Sequence, residues 1–276
     1  MISNLPFNVS ATPIPVICTW KGDTASTLYW DDPNNWKDGV VPNGAEATAI
    51  FPSLSRKTIT VVVRGHIALA NIWFDSQSTS YELRSEGAEE ESILYFVTGQ
   101  PLANIVLTER NSTDHMIPLM IMHSCKSVWG PGWKSAKALN PDDRPPQSKI
   151  TFSGDIGSYK PTRRASLILD GYLTVALTGR NSFVGPIELR RGELDIATSL
   201  SIPSGTVVEI YEPARINLRP GVEARIKALK VNGKELPNGL YISTERFTAR
   251  DRPASANVLD RLLGTGTLLV DSAMNP

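Results

Sequence analysis

The sequence predicts an all-β chain whose strands stack as a solenoid. Three observations point there. Twenty Gly and twenty Pro among 276 residues demand frequent chain reversal, which suits short strands better than long helices. From Lys57 onward, short runs rich in Val, Ile, Leu, Thr and aromatic residues are bounded by Gly, Pro, Asn, Asp or Ser. Between 173 and 232, the second apolar positions of successive runs (Val175, Ile187, Leu194, Val208, Ile216 and Ala228) recur at short unequal steps. Pairs of those steps sum to roughly 20 residues, near the low end of a stacked-repeat period.

Residues 1–50 read as an N-terminal extension and cap. Within them, "NNWKDGVVPNG" (34–44) crowds turn residues ahead of the first long strand run. Trp30 and Trp36, with Asp31, Asp32, Pro33 and Asn34 between them, fit neither one helical face nor one alternating strand, so they predict a compact turn held by aromatic rings. Residues 51–276 read as the solenoid. Its strands are "TITVVV", "IALANIWF", "ILYFV", "NIVL", "KITF", "SLIL", "LTVAL", "PIEL", "ELDI", "VVEI", "RINL", "ALKV", "LYI" and "TLLV". Gly179, Gly185, Gly192, Gly205 and Gly221 mark corners where one face turns into the next. The competing arrangement is a β-sandwich, because the same corners serve hairpins equally well.

Composition removes several classes of partner. The 28 basic and 28 acidic residues cancel, so nothing electrostatic favours nucleic acid or an anionic membrane. Apolar runs such as "VVV" and "IPLMIM" fall far short of the roughly 18 residues of a membrane span, and a soluble chain is expected. The N-terminal prolines interrupt any signal-peptide core, so a signal has been removed or export takes another route. Cys18 and Cys125 are read as two free or buried thiols in preference to a bridge.

One stretch resembles a known family. "LTVALTGRNSFVGPIELRRGELDI" is similar to the autotransporter-associated β-strand repeat of bacterial surface and secreted proteins, on Leu177-Thr178-Gly179, then Asn181, Phe183 and Gly185, then Gly192 and Leu194. "SIPSGTVVEIYEPARINLRPG" resembles the segment that follows in such repeats, "KVNGKELPNGLY" through "LLGTGTLLV" the closing segment, and "WDDPNNWKDGVVPNGAEATAIF" the segment that leads into them. The resemblance covers roughly 19–110 and 150–272. It implies a right-handed parallel β-helix, commonly a passenger or stalk on an extracellular or cell surface. The chain is richer in Arg, Lys and Glu than the usual repeats, and it carries no run of alternating lipid-facing strands for a translocator barrel.

A β-helix must cover its open ends. Trp20, Trp30 and Trp36 are placed to cap the first coil, or alternatively to form a glycan platform on which a pyranose stacks while Asp31, Asp32 and Asn34 bond its hydroxyls. The lateral insertion at about 123–149 is the second candidate site. Trp129 and Trp133 offer stacking planes, Lys126, Lys134 and Arg144 suit an acidic polysaccharide, and Asp142 and Asp143 suit hydroxyls or a cation. The plainer reading makes it a flap covering one side, or a contact with a neighbouring protein subunit. On either reading Trp129→Ala with Trp133→Ala separates the two, by lost binding or lost stability.

No catalytic residues, cofactor or metal are assigned. His66, His115 and His123 are too few and too dispersed for a metal site, and Asp31, Asp32 and Asn34 lack EF-hand spacing. Glu188, Glu193, Asp195 and Glu209 fall at outward alternations expected of a solvated face, and adjacent Asp142 and Asp143 would point apart in an extended chain. The expectation is an extracellular structural, adhesive or assembly module with glycan affinity and scope for self-association. A polysaccharide lyase or glycoside hydrolase on the same scaffold is the alternative.

Overall fold

The computed structural model describes residues 15–22, 28–87, 92–97, 102–108, 111–123, 126–130, 148–158, 166–244 and 256–273. These are nearly all β, with one 3-10 turn at Pro33–Asn35 and no α-helix among the described residues. Parallel pairing dominates, and the sheets curl around a continuous apolar interior.

Most pairings resolve into three parallel ladders, and a further sheet joins Glu223–Ile226, Thr267–Val270, Gly239–Ile242 and Ala256–Val258, in which Gly239–Ile242 runs antiparallel to Thr267–Val270. The first runs through Ile17–Thr19, Thr48–Pro52, Asn71–Asp75, Leu102–Leu107 and Lys126–Trp129, then Leu167–Leu177, Ile187–Ile196, Val207–Ile210 and Ala228–Val231. The second runs through Leu28–Tyr29, Thr58–Val63, Ser80–Ser85, His115–Ile117 and Lys149–Phe152, rejoins Leu167–Leu177 and Ile187–Ile196, and ends in Arg215–Leu218 and Leu262–Gly264. The third holds His66–Leu69, Ile93–Phe96, Met120–His123 and Ile156–Ser158. From Thr48 to Ser158 the chain visits first, second and third ladder in rotation, an order compatible with a β-helix. Parallel neighbours run against a hairpin-built sandwich, whose sheets would be antiparallel.

Alternation explains which side chains enter. Val175 opposes Leu194, Leu194 opposes Ile216, and Ile187 opposes Val208, and all five are 0% exposed. Ala228 departs from the expected row. It opposes Val207 and is half-buried, while the buried Leu229 takes the place over Val208.

Strand boundaries differ from the sequence reading in an instructive way. "IALANIWF" divides at Ala70 into His66–Leu69 of the third ladder and Asn71–Asp75 of the first. Conversely "SLIL" and "LTVAL" merge in Leu167–Leu177, and "PIEL" and "ELDI" in Ile187–Ile196, each strand bending so that its two halves serve different ladders. Gly192 sits at that bend with φ +85°, and a Cβ there would lie 2.2 Å from the Gly171 carbonyl oxygen and 2.5 Å from that of Leu173. No other residue type fits such a close backbone approach.

The ends are built differently. Ile17–Thr19 pairs with Thr48–Pro52, and Leu28–Tyr29 with Thr58–Val63, so the ladders begin before residue 50 and the segment read as an extension already contributes strands. At the other end of the first ladder, Asn232-Gly233, with φ of 49° and 80°, turns Lys234–Glu235 back antiparallel onto Ala228–Val231. Two consecutive positive φ values are what a two-residue hairpin requires.

Candidate functional site

The three N-terminal tryptophans form an interior cluster. Trp20, Trp30 and Trp36 are 1%, 0% and 0% exposed. Trp36 meets the other two edge-on at 5.0 and 5.1 Å, and all three rings pack within 6.0 Å of Phe51. Each indole N–H is used inside the cluster: Trp20 donates to the Gly22 carbonyl at 2.8 Å, Trp30 to Pro42 at 3.0 Å and Trp36 to Trp30 at 2.7 Å. No ring face is left for a sugar, which corrects the glycan-platform alternative. The acids are engaged as well. Asp31 takes two bonds from the Arg64 guanidinium at 2.9 Å, and Asp32 accepts from the Asn34 backbone N–H at 2.9 Å.

The second expected surface is also drawn inward. Lys126–Trp129 is a strand of the first ladder, and Trp129 is 1% exposed, stacked on Phe152 at 4.3 Å and near-parallel to the His123 ring at 6.1 Å. Trp129 is therefore a core residue and not an exposed stacking plane, because alternation from the outward-lying Val128 turns it inside. Lys126 is half-buried at the start of that strand. Trp133, Lys134, Asp142, Asp143, Arg144 and Cys125 lie outside the described residues. Cys18 is an unbridged thiol whose ionisation burial and then Asp38 push upward.

Two histidines belong to the same interior. His115 stacks on Phe74 at 4.1 Å, accepts the Tyr81 backbone N–H at Nδ1 (3.2 Å), and donates from Nε2 to Asn111 Oδ1 (2.8 Å). Asn111 Oδ1 also accepts the Ser76 N–H, which fixes it as an acceptor and the imidazole as the neutral Nε2–H tautomer. Burial holds His115 down to about 3, and His123, whose Nδ1 meets Ser127 Oγ at 2.7 Å, down to about 4.

Of the four strand carboxylates expected on a solvated face, Asp195 departs. It is 4% exposed, bonded by Arg219 at 3.0 and 2.7 Å, by Lys149 at 3.0 Å and by Asn217 at 3.3 Å. Burial alone would raise its carboxyl, but the bonds from Arg219 and Lys149 outweigh that and hold it low. Alternation does place Asp195 outward, between the buried Leu194 and Ile196. Long cations from neighbouring strands then fold over it. With its oxygens saturated it acts as a clamp between strands. Glu193 beside it is half-buried and shifted upward by burial first, then by Asp195.

A groove of about 460 Å³, a ligand-sized space, is lined by described residues that the sequence analysis does not single out as a site. It lies where the third ladder continues past Ile156–Ser158. The Ser182 N–H donates to the Ile156 carbonyl at 2.8 Å, Asn181 N–H to Leu200 at 3.0 Å, and Glu223 N–H to Ser199 Oγ at 2.9 Å, tying successive levels together. Arg180 and Arg225 stand on its rim, Leu200, 56% exposed, lies in the groove, and Ser182 and Ser204 add hydroxyls. "GRNSFVG" reads as a corner flanked by Gly179 and Gly185, and nothing local in it tells that Arg180 shares a groove with Arg225. Among the described residues, no three of His, Cys, Asp and Glu gather as a metal site, and no helix is long and apolar enough to cross a membrane.

No protein-family model, curated protein or solved structure matches the chain.

Proposed function

We propose that the chain winds as a right-handed parallel β-helix and serves as an extracellular structural, adhesive or assembly module, with polysaccharide or neighbouring protein subunits as its partners. The observation that carries this reading is the rotation of the chain through three parallel ladders around one apolar interior. A stack of this kind has no hinge between levels, so its outer faces are held at fixed spacing and work by presenting groups in register. Right-handedness follows from strand twist, since roughly 98% of crossovers between parallel strands of one sheet take that hand. The surface location rests on the resemblance of Leu177–Leu194 and the flanking segments to the autotransporter-associated repeat.

A glycan-array screen run with reducing-sugar and unsaturated-uronate assays tests the function. Binding without turnover is the expected result. Turnover of any polysaccharide would replace the module with a lyase or hydrolase on the same scaffold.

A further inference from the structure

We propose that the groove between Arg180 and Arg225 binds a carboxylate-bearing polysaccharide, a polyuronate, laid along the stacking direction. The inference deepens the surface-module reading and rests on it. It moves the glycan site from the tryptophan-rich segments, whose described rings are interior, to the continuation of the third ladder.

Charge is the first reason. Arg180 and Arg225 are exposed, and neither guanidinium has an acid partner among the described residues. Several other arginines are ion-paired, Arg64 with Asp31, Arg190 with Glu188, Arg191 with Asp170, Arg219 with Asp195 and Arg261 with Glu212, while Arg84 and Arg215 are exposed without an acid at ion-pair distance among the described residues. What sets Arg180 and Arg225 apart is that both line one groove, which concentrates positive charge there in a chain of zero net charge. A guanidinium fork matches a carboxylate's two oxygens.

Spacing is the second. The Asn181–Ser182, Ser199–Leu200 and Glu223–Arg225 levels are tied in succession by the hydrogen bonds already given, so Arg180 and Arg225 stand two levels apart. Adjacent levels of a sheet are about 4.8 Å apart. That is on the scale of one sugar residue in an extended polysaccharide, so the two guanidiniums would meet alternate carboxylates of one strand. Leu200, 56% exposed between them, offers an apolar patch to a pyranose face, and Ser182 and Ser204 can bond ring hydroxyls. The Glu223 carboxylate in the same groove disfavours the denser charge of a polyphosphate or heavily sulfated chain.

The test is isothermal titration of the full chain with polygalacturonate and alginate, alongside dextran and heparin. Polyuronate binding is expected, weaker in high salt, with dextran silent and heparin weaker. Arg180→Ala with Arg225→Ala should weaken it by on the order of tenfold or more, while Arg84→Ala, at an exposed arginine of the second ladder, leaves it unchanged. Both arginines are exposed, so an unchanged melting curve should accompany the loss. Absent polyuronate binding, equal heparin binding, or binding indifferent to the double substitution overturns the groove assignment. Those outcomes leave the module reading standing, because that reading fails on polysaccharide turnover or on antiparallel coils in an experimental structure, which titration does not report.

Discussion

At His115 two hydrogen bonds and a stacked ring decide the charge. Protonating Nδ1 would turn the Tyr81 N–H against another donor, so the site opposes the cation by geometry as well as by burial. Folded values of about 3 for His115 and about 4 for His123 lie below the ordinary 6.5, and the unfolded chain therefore takes up protons first. The stability these groups contribute is full above 6.5 and drains as pH falls, until about 4 for His123 and about 3 for His115. For His123 alone the gap from 6.5 to about 4 corresponds to roughly 3 kcal/mol. Asp195 acts in the same sense at lower pH, its contribution going only as pH falls through its lowered value. Melting temperature followed from neutral pH down to about 4 should decline, with a shallower slope in His123→Phe, and a flat profile would contradict the buried neutral imidazoles. Trp129→Ala belongs at this scale too. Its ring fills the space over Phe152, and deletion of a buried tryptophan costs about 3–5 kcal/mol, read as a lowered denaturation midpoint. Neither role was visible in sequence, since "HSCKSVWGPGW" advertises turn residues while burial is decided by a register set with residues more than twenty positions away.

Strands were the most legible elements, because a period of two survives in almost any context. The row Val175, Leu194, Ile216 could be read before any coordinates because those positions are inward in consecutive strands of one ladder. Ile187→Asp tests it: a carboxylate placed between Leu167 and Val208 has no partner, and loss of a cooperative melt is expected by circular dichroism. A soluble variant that still melts cooperatively would mean the register is wrong. The divided and merged strands were illegible for a physical reason. Ala70 and Gly192 both lie where the backbone changes wall, yet Ala70 does so without any breaker residue, while Asp170 to Thr174 bends through a bulge that hydrophobic pattern alone cannot signal. The Asn232-Gly233 turn did carry a strong local hairpin signal, which reading the segment as a repeat terminus passed over.

Across the whole molecule, pattern gave the all-β class and much of the interior and left the surface nearly blank. Interior positions must satisfy neighbours above and below, so apolar spacing encodes them. The groove brings together Arg180, Leu200 and Arg225 through hydrogen bonds between levels, and each sits in an unremarkable polar turn when read along the chain. Sites assembled across levels have no linear motif, which is why the tryptophan-rich stretches drew attention that the arginines did not.

The hairpin at Lys234–Glu235 gives the two extremities unequal prospects. A copy approaching there meets a reversed strand tipped with a cation and an anion, a poor template for continuing the parallel series. Ile17, 60% exposed, lies on a strand with one neighbour among the described residues and carries no such reversed strand there. Parallel continuation of the first ladder is thereby closed at the hairpin extremity, whereas the second ladder ends there in Leu262–Gly264, which pairs with Arg215–Leu218 alone among the described residues.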